Sequence, residues 1–271
     1  MGAQVSKPRS FNLFIDTNYL SDMILYTDFC ESNRIDLFKE KSESIDLNET
    51  RRKRSFDIAK GVRENVKDGK KIIQALSHGT KRTEITLSYS KFNEIELRGL
   101  IARSLLFSEA IRAHVPDRIA NHVVLGSGAK KAYLSSIAPG IDRLKEILME
   151  HSVTMECCDD YSVDPSSIPQ ILNVVEAVQR NIVMGSFDLY LYSCALYLQA
   201  DAILTRDGEF RNVIQSLRSP PRDSGWIEVR KRILSDSERF VIRPLKSDSI
   251  NNLKMNFPRP FGPGDLRKHF S

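Results

Sequence analysis

The sequence predicts an α/β domain in which a mainly parallel, twisted sheet lies between layers of helices, a three-layer α/β/α fold. Short apolar runs of strand length alternate with longer stretches of helical period through most of the chain. Of the 271 residues, 41% are hydrophobic and 28% are charged, which is enough apolar material for a sizeable core. The four cysteines show neither zinc-site spacing nor a disulfide framework, so we expect apolar packing to hold the fold.

Four apolar runs are predicted as strands of that sheet. They cover 11–15, 84–89, 153–158 and 201–205. The first run leads directly into Asp16, and the last leads into Asp207. In a parallel sheet both carboxylates would therefore lie at the carboxyl ends of their strands.

Helical periodicity separates these strands. Apolar residues recur at helical spacing in 19–29, 93–107, 141–151, 168–183 and 188–199. The GSG and APG sequences in 116–140 predict turns.

The predicted domain spans 11–246 and includes an insertion, and a tail lies at each end of it. Residues 1–10 form a polar tail, and 34–82 is a basic insertion expected to form exposed helices. Residues 240–245 (FVIRPL) are a candidate edge strand. The stretch 247–271 is rich in Pro and Gly, which predicts an extended or poorly ordered tail.

The insertion 34–82 holds the whole positive surplus of the chain. It contains 14 Lys and Arg against 8 Asp and Glu, whereas the rest of the chain contains 26 against 27. A localised basic patch favours a polyanionic partner, although a solvated helix face gives the same composition. The candidate nucleic-acid contacts are Arg51, Arg52, Lys53, Arg54, Lys70 and Lys71.

The sequence predicts a cytoplasmic protein without a membrane anchor. No apolar stretch approaches the roughly 20 residues needed to cross a bilayer, and the first ten residues lack the apolar core of a signal peptide. MGAQVS fits the short pattern for N-myristoylation at Gly2. A single acyl chain gives only marginal membrane binding, so we expect no membrane association.

Four acidic residues fall where strands end or helices begin: Asp16, Glu94, Asp188 and Asp207. The crevice at the carboxyl ends of parallel strands can bring them together although they are distant in sequence. Clustered carboxylates repel one another unless a cation neutralises them, and oxygen ligands select hard ions. The predicted cofactor is therefore Mg²⁺ or Mn²⁺. Each acid taken alone is more simply explained as a helix cap or a turn residue.

Four motifs occur together in an order that resembles the PIN-domain family. They are IDTN (15–18), SYSKFNEIELRGL (88–100), DLYLYSCALYLQAD (188–201) and AILTRDGEF (202–210). The family shows Asp-x-Asn after its first strand, then S-x5-E opening a helix, and later a helix that runs into T-x-D-x-x-F. Its best-known small members are the VapC-type toxins of toxin–antitoxin pairs.

The resemblance implies a metal-dependent endoribonuclease with Asp16, Glu94, Asp188 and Asp207 as metal ligands. Asn18 and Thr205 would assist by hydrogen bonding around the metal-bound water and the phosphate. RNA is then the implied substrate, an antitoxin-like protein inhibitor is a candidate partner, and a homodimer is a candidate assembly.

Two further acids compete for places in this quartet, and two residues fit packing roles. Glu96 is the rival of Glu94; the six-residue step from Ser88 favours Glu94, and residues two apart on a helix face different sides. Glu209 is a weaker candidate. Ala195 and Phe210 are interpreted as packing residues.

Several other functions compete with the nuclease. A haloacid-dehalogenase-like phosphatase needs a second Asp two residues after Asp16, where this chain has Asn18. No GxxxxGK[ST] or GxGxxG sequence supports a phosphate-binding loop. A non-catalytic scaffold that binds RNA or a protein partner, and a structure-specific DNA nuclease, remain the alternatives.

Overall fold

The computed structural model describes residues 9–33, 60–81, 83–99, 140–160, 162–222, 225–239 and 257–271. Within these residues the protein is an α/β domain with a five-stranded, all-parallel sheet and nine helices. The fold class predicted from the sequence is confirmed.

The elements are numbered along the chain. The strands are β1 (Arg9–Ile15), β2 (Thr83–Tyr89), β3 (Val153–Cys157), β4 (Ala202–Leu204) and β5 (Arg259–Phe261). The helices are α1 (Thr17–Asn33), α2 (Lys60–Gly79), α3 (91–99), α4 (140–150), α5 (Ser167–Gln179), α6 (Ser186–Tyr197), α7 (Gly208–Arg218), α8 (Gly225–Arg239) and α9 (Pro263–Phe270).

The strand order β3-β2-β1-β4-β5 places the first strand at the centre of the sheet. From β1 the chain builds outward through β2 and β3, and then returns to the other side of β1 for β4 and β5. The strand order therefore reverses between β1 and β4, where Ile15 is in register with Leu204. A crevice opens at such a reversal, outside the carboxyl ends of the strands, and this crevice is the usual ligand site of open α/β sheets.

Alternation along the strands supplies a separate hydrophobic cluster on each face of the sheet. Leu13 and Ile15 of β1 belong to the first cluster, which also contains buried residues of α1, α2, α4 and α9. Phe14 belongs to the second cluster, together with residues of α5, α6, α7 and α8. Helices therefore cover both faces, which is the three-layer arrangement.

The packing of α1 against α2 depends on a glycine. A Cβ added at Gly69 would lie 2.1 Å from the carbonyl oxygen of Asp22 and 2.9 Å from the Cβ of Tyr26. The two helix backbones approach too closely for any side chain at this position. The contact fixes α1, the helix that begins directly after Asp16.

The four predicted strands and the predicted helices at 19–29, 141–151, 168–183 and 188–199 are confirmed, with ends that differ by a few residues. The helix predicted at 93–107 is confirmed over 93–99. The basic insertion contains α2 over 60–79, whose Ile72, Ile73 and Leu76 are buried. Several predictions lie outside the described residues: residues 1–8, the remainder of the insertion over 34–59, the turns in 116–139, and the candidate edge strand at 240–245.

The prediction of an unstructured C-terminal tail is wrong for 257–271. This stretch adds β5 beside β4 and then forms α9, and its apolar side chains Phe257, Phe261, Leu266 and Phe270 are buried. Proline is compatible with both elements, because Pro260 lies in a strand at the sheet edge and Pro263 occupies the first turn of a helix. Proline and glycine content alone was therefore misleading here.

No helix among the described residues combines the length and the apolar character that a bilayer span requires.

Candidate active site

Asp16 is the buried centre of the crevice between β1 and β4, with 5% of its surface exposed. Its backbone amide donates to the carbonyl of Leu204 at 2.9 Å, which extends the pairing of the two strands by one residue. The Thr205 hydroxyl donates to Oδ2 at 2.7 Å, and the Thr17 amide donates to Oδ1 at 2.7 Å. Both carboxylate oxygens are thus held in fixed positions.

The pKa of Asp16 is raised from 3.8 to about 6. Burial is the largest cause; the hydrogen bonds from Thr205 and Thr17 oppose it, and the charges of Glu96 and Asp188 raise the pKa further. Asp16 therefore lies among other carboxylates in a place with little solvent to relieve their repulsion.

Helix α3 has a well-formed start that orients its side chains. The Phe92 amide donates to Oγ of Ser90 at 3.0 Å, and the Ser90 amide donates to Oδ1 of Asn93 at 2.7 Å. This is a reciprocal cap in which Asn93 takes the place of the usual Glu or Gln. The cap buries Asn93 at the crevice and thereby fixes the rotation of the helix.

Glu96 is the glutamate that this rotation brings to Asp16. Nδ2 of Asn93 donates to the Thr17 hydroxyl at 2.9 Å, and that hydroxyl donates to Oε2 of Glu96 at 2.6 Å. Asn93 and Glu96 are three residues apart and share one face of α3. The chain Asn93–Thr17–Glu96 therefore joins the start of α3 to the start of α1.

The expectation that Glu94 joins the acidic group is corrected by this geometry. Its Oε1 accepts a 2.9 Å ion pair from Nζ of Lys91, one turn earlier on α3. The pKa of Tyr89 on β2 is raised chiefly by burial, and Cys157 on β3 and Glu94 add to that shift. Glu94 therefore lies close to Tyr89 and Cys157, on the β2–β3 side of α3. The physical reason is the cap: with Asn93 facing the crevice, a residue one position later points away and Glu96 points in.

Asp188 lies in the first turn of α6 and is half-buried. Its pKa is raised, first by burial and then by the charges of Asp207, Glu96 and Glu209. Asp188 thus belongs to the same acidic group as Asp16. Gly185 precedes the helix, and a Cβ there would lie 3.4 Å from Oδ2 of Asp188, so the loop leaves room for the carboxylate.

Asp207 occupies the outer edge of the group. Its Oδ1 accepts from the Phe210 amide at 2.8 Å, so it caps α7, and its own amide donates to Oγ1 of Thr205 at 3.2 Å. Thr205 therefore bridges Asp16 and Asp207. Asn18, in the first turn of α1, and Glu209, in the first turn of α7, are exposed.

Comparison with known proteins identifies no relative: no family model, no curated protein and no solved structure matches this chain. The interpretation of the crevice therefore depends on its own geometry.

The donors around Asp16 fit a hard, partly hydrated cation. All of them are oxygens, which is the ligand type that Mg²⁺ and Mn²⁺ prefer. Among the described residues, only Cys158, Asp159 and Cys194 bring three ligand atoms within 4.8 Å of one another. The carboxylates around Asp16 are more widely spaced, which suits an ion that keeps several of its waters.

Sequence reasoning missed Asp159, a buried acid two residues after the end of β3. Its Oδ1 accepts from the Lys91 amide at 2.7 Å, and its Oδ2 accepts from the Tyr190 hydroxyl at 2.9 Å. It therefore links α3, which carries Glu96, to α6, which carries Asp188. Its position after a strand, like that of Asp16, was the signal that could have found it.

Sequence reasoning also missed Arg206, a cation that directly precedes Asp207 in the sequence. Its guanidinium lies 5.0 Å from the ring centre of Tyr19 and forms ion pairs with Asp22 and, at 3.4 Å, with Asp68. Burial raises the pKa of Asp22 to about 7 against the opposing effect of Arg206. The Arg206 side chain as a whole is 39% exposed.

The predicted nucleic-acid contacts are only partly described. Lys71 is exposed and pairs with Asp68 at 2.8 Å on α2, and Lys70 lies beside it. Arg51, Arg52, Lys53 and Arg54 lie outside the described residues. Ala195 and Phe210 are buried in the second core cluster, which confirms the packing roles predicted for them.

Proposed function

We propose that this protein is a metal-dependent endoribonuclease that resembles the PIN-domain family. The observation that carries the proposal is the acidic group at the β1–β4 crevice, in which Asp16 is buried and its pKa is raised in part by Glu96 and Asp188. A folded protein gains nothing from forcing carboxylates together in a buried crevice unless they bind a cation or act as acids and bases. The order of the four sequence motifs supports the same reaction class.

A cation bound there would lower the pKa of a bound water and stabilise negative charge on the phosphate as the phosphodiester bond is hydrolysed. Asp16, Glu96 and Asp188 are the residues that would hold it. Thr205 fixes one oxygen of Asp16, while Thr17 fixes the other and also orients Glu96. Asp207, already used as a helix cap, would contribute from the edge of the group.

RNA is the proposed substrate because the family resemblance and the charge distribution both favour it. The sequence pI is about 9.0 in spite of the acidic crevice, so positive charge elsewhere on the protein can attract a polyanion. Arg206, which directly precedes Asp207 in the sequence and is partly exposed, is a candidate contact for the phosphate.

The test is a cleavage assay on total cellular RNA with added Mn²⁺. Asp16→Asn and Glu96→Gln are expected to abolish cleavage while RNA binding is retained. Glu94→Gln is the matched control, because it removes a carboxylate from the same helix on the side that pairs with Lys91. We expect it to keep most of the activity.

Two outcomes would replace the proposal. If the wild-type protein binds RNA but is inert with Mg²⁺ or Mn²⁺ on varied substrates, the fold serves as a binding scaffold. If flap or duplex DNA is cleaved in preference to single-stranded RNA, the protein is a structure-specific DNA nuclease.

A further inference from the structure

Two cysteines far apart in sequence meet beside Asp159. The Sγ atoms of Cys158 and Cys194 and a carboxylate oxygen of Asp159 all lie within 4.8 Å of one another. Cys158 follows β3 directly, and Cys194 lies in α6, so the sheet and a helix contribute to the same cluster. We call these three residues the thiol cluster.

The spacing of the thiol cluster is close to that of a tetrahedral metal shell. With metal–sulfur bonds of about 2.3 Å, two thiolates on one tetrahedral ion lie roughly 3.8 Å apart. Because the three ligand atoms lie within 4.8 Å of one another, any contraction needed to reach that separation is at most about 1 Å. Its donors differ from those around Asp16, because thiolates select soft or borderline ions and are poor ligands for Mg²⁺.

The ligands of the thiol cluster are already oriented by neighbouring groups. Asp159 accepts hydrogen bonds from the Lys91 amide, the Tyr190 hydroxyl and, at 3.3 Å, the Cys157 thiol. None of these three donors is a cation. Burial chiefly raises the pKa of the Cys194 thiol, and the nearby Tyr190 hydroxyl opposes that shift. Such outer-shell partners are what hold metal ligands in place in established sites.

We propose that Cys158, Asp159 and Cys194 bind one thiophilic divalent ion of the zinc class. Binding replaces the two thiol protons, which are released to solvent, and adds a positive charge beside the buried Asp159 carboxylate. Three protein donors fill three tetrahedral positions, and a water or another small ligand takes the fourth.

A bound ion would join the end of β3, through Cys158, to α6, through Cys194. Because Asp159 also holds the first turn of α3, the ion would tie together the elements that carry Glu96 and Asp188. The proposal does not depend on the nuclease activity, and its test requires no substrate.

The test is titration of the full chain with Co²⁺ and Zn²⁺ in excess Mg²⁺, which occupies oxygen-only sites. We expect one equivalent of Co²⁺ to give a thiolate-to-cobalt charge-transfer band that Zn²⁺ abolishes. Cys158→Ser and Cys194→Ser should remove the band, and Tyr190→Phe should weaken Zn²⁺ binding by about 10–100-fold. Cys30→Ser is the matched control, since Cys30 is as fully buried as Cys194 but lies in the first core cluster.

Saturating Co²⁺ without a thiolate band in the wild-type protein would overturn the proposal, whatever the folding of the variants. A band that survives in both Cys158→Ser and Cys194→Ser would do the same. So would a Cys158–Cys194 disulfide, mapped by mass spectrometry in protein kept under reductant.

Discussion

The Thr205 hydroxyl donates a 2.7 Å hydrogen bond to Oδ2 of Asp16, across the junction of β4 and β1. This bond lowers the pKa of a carboxyl group that burial raises. It therefore favours the ionised form of Asp16, which is the form that a cation requires. Thr205 acts through Asp16, as a positioning residue.

Replacing Thr205 by Val should shift the pH dependence of cleavage. Without the hydroxyl the pKa of Asp16 rises above about 6, so the acid limb of the pH–rate profile moves to higher pH. Thr205→Ser keeps the hydroxyl and should retain the wild-type profile. Loss of rate at all pH values without a shift of the limb would show that Thr205 matters only for packing.

Asp16→Asn should stabilise the metal-free protein although it abolishes activity. Because folding raises the pKa of Asp16 from 3.8 to about 6, protonation stabilises the folded state below 3.8, and this stabilisation is lost as the pH rises through about 6. The amide removes that loss, so the free energy of unfolding in EDTA should rise at pH 8 by up to about 3 kcal/mol. Denaturant unfolding measures it.

The gain should be smaller at pH 5, where the wild-type carboxyl group is largely protonated. Added Mg²⁺ should stabilise the wild-type protein and leave Asp16→Asn unchanged. An equal gain at both pH values would mean that the charge of Asp16 does not destabilise the crevice.

Gly69→Ala should destabilise the fold through the contact between α1 and α2. The new Cβ would lie 2.1 Å from the carbonyl oxygen of Asp22, so the helices must separate. Overpacking of this kind costs about 1–3 kcal/mol. The control is Gly264→Ala in α9, where a Cβ would meet nothing within 4 Å. A melting temperature that changes equally in both variants would contradict the close approach.

Neutralising Arg51, Arg52, Lys53 and Arg54 should flatten the salt dependence of RNA binding. For single-stranded RNA, the slope of log K against log salt should fall by about 0.7 for each phosphate that the variant no longer neutralises. Fluorescence anisotropy at several salt concentrations measures the slope. An unchanged slope would mean that these four charges are solvated and do not contact RNA.

The alternation of strands and helices could be read from the sequence because apolar spacing follows directly from strand and helix geometry. The same reasoning placed Asp16, Asp188 and Asp207 near one another, since it needed only the carboxyl ends of parallel strands. Besides burial, the charge of Asp188 raises the pKa of Asp16, and the charge of Asp207 raises the pKa of Asp188. The three residues therefore lie near one another.

The choice between Glu94 and Glu96 could not be made from spacing, because it depends on the rotation of α3. That rotation is set by the cap between Ser90 and Asn93 and by the bond from Asn93 to Thr17, which is 76 positions away in sequence. The thiol cluster was missed for a similar reason. Cys158 and Cys194 show no metal-site spacing, and only the packing of α6 against the end of β3 brings them together.

The central claim is that Asp16, Glu96 and Asp188 share a cation, and calorimetric titration with Mn²⁺ tests it most directly. The wild-type protein and Glu94→Gln are expected to take up Mn²⁺ with similar affinity, whereas Glu96→Gln should bind at least about tenfold more weakly, a loss of about 1.4 kcal/mol. Absence of Mn²⁺ uptake by the wild-type protein would contradict the account, as would weaker binding in Glu94→Gln with unchanged binding in Glu96→Gln.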